Sequence, residues 1–100
     1  MKVQTISQTG VGSSSAIVMN TNISPFNVGF GVVVTGEANY TVQHTFDDPG
    51  IGFTTWFPHP TVAGEDANAD GNYAFPVTGV KVLVNSGEGT VTMNLLQAGI

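Results

Sequence analysis

Asp66, Asn68, Asp70 and Gly71 fall in the order D-x-N-x-D-G inside the stretch EDANADGNY, which is how a calcium-binding loop of the EF-hand kind begins. Such a loop sets oxygen ligands at its first, third and fifth positions, turns sharply on a glycine at the sixth, and closes with a bidentate carboxylate at the twelfth. Here the twelfth position is Val77, and the AFPVTGVKV that carries it reads as strand rather than helix. Asn, Asp and Gly also build tight turns without any metal. The expectation is therefore an Asx/Gly turn leading into the last pair of strands. The alternative is a calcium site with Asp66, Asn68 and Asp70 as ligands, completed by Glu65 or by the Asp47 and Asp48 pair. No other cofactor is expected.

The remaining candidates for chemistry are His44, His59, the acids and scattered hydroxyls. No Gly-x-Ser-x-Gly elbow supplies a nucleophile, and the two histidines have neither the His-x-x-x-His nor the His-Glu spacing of a catalytic zinc. Asp47 and Asp48 are adjacent, so on an extended strand they would point apart, and with Pro49 and Gly50 after them they read as a turn. No catalytic residue and no enzyme activity is expected. Zero cysteines exclude disulfides and thiolate chemistry.

Charged residues make up 9% of the 100-residue chain, against roughly 25% in an ordinary soluble domain, and the net charge is −5. With no arginine and only Lys2 and Lys81 as strong cations, neither a nucleic acid nor an anionic membrane is an expected partner. The opening MKVQTISQTG lacks the apolar core of a signal peptide, and no apolar run is long enough to span a bilayer. Folding in the compartment of synthesis is expected. A weakly charged surface is poorly defended against association, so much of it should be covered by neighbouring proteins.

Apolar residues recur with period two or in short β-branched blocks, and no helical period persists for three turns. The expected fold is a single all-β domain, an antiparallel two-sheet sandwich of plain or jelly-roll type, with six or seven short strands. VQTIS and SAIVM read as the first strands, followed by an irregular connection through Pro25. VGFGVVVT and NYTVQHTF, joined around Gly36, read as one hairpin; VTGVKVLVN and GTVTMNLLQ, flanking SGEG, read as another. Tyr40, Val42, His44 and Phe46 share one face of their strand, which makes His44 a hydrogen-bonded histidine in line with the core. Val80, Val82 and Val84 share a face in the same way. Leu95 and Leu96 point to opposite faces, so one of them lacks cover inside a two-layer core.

Two segments are candidate interfaces. Residues 1–15 form either an ordinary first strand or an N-terminal arm that adds to a partner's sheet edge, with Val3 and Ile6 as its apolar contacts. TTWFPHP offers Trp56 and Phe57 as aromatic anchors, with His59 exposed between two prolines. Trp56 has a second reading as the central core residue.

PFNVGFGVVVTGEANYTVQHTFDD, TTWFPHP and NADGNYAFPVTGVKVLVNSGEGTVTMNLLQAG, taken in order, resemble a family of small structural proteins of tailed bacteriophages. The likeness runs from Gly10 onward, and YTVQHTFDD and ADGNYAFPVTGVKV are its most specific pieces. It implies a virion protein made in the host cytoplasm, of the head decoration or cement type. Such a protein binds the major capsid protein on the outer capsid surface, as a homo-oligomer that is a trimer or a dimer. A tail, collar or baseplate component, or a host-adhesion or carbohydrate-binding sandwich, are the other placements compatible with this pattern.

Overall fold

The computed structural model describes residues 2–19, 27–48 and 50–97; Pro25 and the connection around it, and Pro49, lie outside these. Among the described residues there is no helix, and nine strands carry the architecture: β1 Lys2–Thr9, β2 Gly12–Ser13, β3 Ile17–Val18, β4 Val28–Thr35, β5 Ala38–Thr45, β6 Phe57–Pro58, β7 Ala69–Tyr73, β8 Gly79–Gly87 and β9 Thr90–Gln97. One sheet has the order β1-β9-β4-β7, the other β2-β8-β5-β6 with β3 also paired to β8, and every pairing is antiparallel. The fold is the expected all-β, two-sheet sandwich.

Neither expected hairpin forms. β4 lies beside β9 and β7 in one sheet, while β5 lies beside β8 and β6 in the other, so the chain crosses between sheets at both places where a hairpin turn was expected. The strands that pair are β4 with β9 and β5 with β8. Their register runs through the crossing without slipping, from Val28 opposite Gln97 to Thr35 opposite Thr90, then Ala38 opposite Gly87. Two long strands, 28–45 and 79–97, thus form one antiparallel ribbon folded over at residues 36–37 and 88–89. The β1-β2-β3 segment flanks this ribbon on one side and the segment from β6 to β7 on the other, each also passing from one sheet to the other. That is the rolled-ribbon order of a jelly roll.

The bend is closed by backbone. The Gly89 N–H donates to the Glu37 carbonyl at 2.8 Å, and the Gly10 N–H donates to the Gly89 carbonyl at 3.2 Å. Gly87 sits at φ 95°, and a Cβ there would lie 2.3 Å from the Glu37 carbonyl oxygen. Only glycine meets both demands. A bulge follows at Asn39–Tyr40, where the Asn85 side-chain amide donates to Asn39 Oδ1 and Thr41 Oγ1, each at 3.1 Å.

Period two then sorts the side chains. Tyr40, Val42, Val80, Val82, Val84, Val91 and Met93 are wholly buried between the sheets with Val28, Tyr73 and Val77. Each buried valine contributes roughly 1.5–3 kcal/mol relative to exposure. Leu95 is buried and Leu96 is exposed, as their opposite faces require. Among the described residues every buried side-chain nitrogen and oxygen has a hydrogen-bond partner.

Candidate functional site

The end of the sandwich opposite the bend is built from aromatic rings. β5 carries His44 on its core-facing side and delivers Phe46 one residue past the strand; β6 pairs Phe57 with His44; β7 ends at Tyr73, two residues before Phe75. The Phe46 and Phe57 centroids are 5.7 Å apart, and those of Phe46 and Phe75 are 6.2 Å apart. All three remain exposed, at 53%, 44% and 41%. His44 is their floor, with ring centroids 5.4 Å from Phe46, 5.9 Å from Phe57 and 5.5 Å from Phe75.

Beneath this surface the aromatic contacts continue into the core. His44 Nδ1 shares a 3.0 Å hydrogen bond with the Tyr73 hydroxyl, Tyr73 lies edge-on to His59 at 4.9 Å, and His59 lies edge-on to Phe30 at 5.0 Å. Burial, and secondarily the neighbouring His59, lower the pKa of His44 from 6.5. Burial likewise raises that of the Tyr73 phenol. Both groups are held uncharged at neutral pH. The histidine partners are a phenol, backbone groups, a threonine hydroxyl and aromatic rings, an arrangement that rigidifies the platform from below.

His59 is a correction to the expected interface. It is 5% exposed, because its ring is spent inside the molecule. Nδ1 accepts the backbone N–H groups of Thr61 and Val62 at 3.1 and 3.2 Å, which leaves Nε2 to donate to the Asn72 carbonyl at 3.0 Å. Two flanking prolines suggest an exposed loop, and nothing in the local sequence shows that the ring folds inward. Trp56 is neither core centre nor exposed anchor. It is half-buried, with Phe53 edge-on at 5.5 Å and Lys81 Nζ at 4.3 Å from its ring centre, a cation–π contact. Phe57 is exposed as expected. Phe46 and Phe75 were not foreseen as surface residues; Phe46 continues the core-facing alternation of β5, and only the end of strand pairing at Thr45 frees it.

The acidic stretch is also not what its motif suggested. Ala69–Tyr73 is strand, so Asp70 and Gly71 face Gly31 and Phe30 across a ladder instead of rounding a turn. Asn68 Oδ1 accepts the Val34 N–H at 2.8 Å, just beyond the end of that ladder. Gly71 is required for space, since a Cβ would lie 2.8 Å from Phe30 Cζ and 3.1 Å from His59 Cε1. Among the described residues no three His, Cys, Asp or Glu side chains come together as a metal-binding group. The turn at Asp47 and Asp48 forms. Asp47 Oδ2 accepts the N–H groups of Thr54 and Thr55 at 2.7 and 2.8 Å, which lowers the pKa of this exposed carboxyl, and Asp48 Oδ1 accepts the Gly50 N–H at 2.8 Å.

Val3 and Ile6 lie in β1, paired along its length with β9 as the outer strand of its sheet. Val3 is exposed, whereas Ile6 is half-buried against the core. No family model matches the chain, and neither the curated proteins nor the solved structures compared with it contain a significant match.

Proposed function

We propose that the protein is a structural component of a tailed-bacteriophage virion, a head decoration protein that binds the outer surface of the major capsid protein and braces neighbouring capsomers. The observation that carries this reading is the platform of exposed Phe46, Phe57 and Phe75, in which Phe46 meets both other rings, on a chain with very few charges. Three clustered phenylalanines left in water cost solubility unless something covers them. Their rigid aromatic floor makes them anchors that lose little side-chain entropy on docking. Contacts repeated over a capsid lattice can each be weak and still hold. The sequence likeness to phage structural proteins supplies the setting, and jelly rolls recur in capsid domains as a matter of fold analogy alone.

The test is cosedimentation of the purified protein with expanded capsids that lack it, followed by imaging of the particles. Saturable binding is expected, with density for the aromatic end against the capsid shell, and binding lost in a Phe57→Ser, Phe75→Ser variant that stays folded. Failure of the wild-type protein to bind capsids would sink the proposal. Labelled protein found at the tail or baseplate, or glycan binding that uses the same rings, would replace it with one of the other placements.

A further inference from the structure

We infer that β1 is a self-association strand, pairing with the β1 of a second copy about a two-fold axis to join two four-stranded sheets into one. The inference rests on the sheet edges and is independent of what covers the aromatic platform. An outer strand presents a row of backbone N–H and C=O groups on its free side, and folds usually blunt such rows with prolines, charges, bulges or short strands. Three of the edges here are blunted among the described residues. β6 is two residues long and contains Pro58; β2 and β3 are two residues each, interrupted by residues 14–16; β7 has five residues and carries Asp70. β1 is different. Its eight residues, KVQTISQT, contain no proline and no glycine, its ladder with β9 runs without a bulge, and its only charged residue is the first.

The second copy is the occupant because the strand complements itself. Val3, Thr5, Ser7 and Thr9 are exposed on the outer side of the sheet, while Gln4, Ile6 and Gln8 are half-buried on the inner side. A two-fold axis normal to the sheet keeps outer side chains on the outer face of both copies, so it must pair odd positions with odd and even with even. Centred on Ile6, it sets Ile6 opposite the partner's Ile6, where the two extend the apolar layer. It also sets Thr5 opposite the partner's Ser7, Val3 opposite the partner's Thr9, and Gln4 opposite the partner's Gln8. These are β-branched, hydroxyl and amide pairs of the kind that stabilise antiparallel ladders. No like charges meet. An edge with so little charge has nothing to repel its own copy.

The chain has no cysteine, so single introduced thiols report the register cleanly. Thr5→Cys protein mixed with Ser7→Cys protein should cross-link through a short thiol reagent, and neither should cross-link well alone. In sedimentation the wild-type chain should dimerise, and a Thr5→Lys, Ser7→Lys variant should raise the dimer dissociation constant about tenfold or more by setting lysines against each other. Its thermal midpoint, read on the monomer, checks that β1 still pairs with β9. The inference is overturned by a wild-type chain that stays monomeric, or by the lysine variant dimerising as well as wild type. Cross-linking of Thr5→Cys alone overturns the Ile6-centred register.

Discussion

The two ends of the sandwich solve opposite problems. At the bend, Gly10, Gly87 and Gly89 bring backbone against backbone until no room is left for a Cβ at Gly87, and Glu37 and Glu88 are exposed at its tips. At the far end, His44 and Tyr73 close the core with rings, and three further rings stay in water. One end is finished by the chain itself. The other is packed ring against ring but left uncovered, and that contrast separates what folding needs from what it leaves open.

The largest expected effect breaks the bend. Gly87→Ala should cost on the order of 3 kcal/mol or more in urea denaturation, through the strained positive φ and the clash with the Glu37 carbonyl. A loss under about 1 kcal/mol would show that the bend is not what fixes the ribbon. Next is Tyr73→Phe, which leaves His44 Nδ1 without its phenol partner and should cost about 1–2 kcal/mol. Unchanged stability there would mean that the aromatic floor does not depend on this bond.

The third effect is a pH dependence confined to the aromatic end. His44 has a lowered pKa in the folded chain, so as pH falls below about 6.5 the unfolded chain takes up a proton that the folded chain resists. Stability should be complete above that pH and decline below it, and His44→Gln should flatten the decline between pH 7 and 5. An equally steep decline in the variant would assign the effect elsewhere. The smallest stability change is expected for Phe57→Ser, under about 1 kcal/mol, because nearly half of the ring is already in water. If the proposed function holds, this is also the change that weakens capsid binding most in proportion to its structural cost. A stability loss as large as that of Gly87→Ala would make Phe57 a core residue and erase the contrast.

The positions of β1, β4, β5, β8 and β9 and the buried faces of β5 and β8 were legible in the sequence, because period two is imposed by the pleat whatever a strand pairs with, whereas β2 and β7 fall in stretches that read as loop and turn. Partners were not. A Gly-Glu tip between two β-branched runs suits a hairpin turn and a crossing between sheets equally well. What decides is the contact between Glu37 and Gly87, two residues 50 positions apart. The acidic stretch misled for a related reason. Gly71 reads as a residue chosen for its backbone freedom, yet it is needed for the space that Phe30 and His59 occupy above it. At the candidate site, Phe57 could be picked out from TTWFPHP, whereas Phe46 and Phe75 become surface residues only through where ladders end. His59 turns inward to satisfy N–H groups of its own loop.

The folded ribbon has a consequence for how the molecule forms. β8 and β9 are inner strands of the two sheets, and both belong to the segment 79–97, so β1 and β2 wait for partners synthesised some 70 or more residues later. A nascent chain lacking that segment can assemble neither sheet. The long loops that must close place folding with the slow β-proteins, on a scale of milliseconds to seconds. Until then the edge of β1 and the rings of the aromatic end are open together, and that interval is when wrong partners are most easily met.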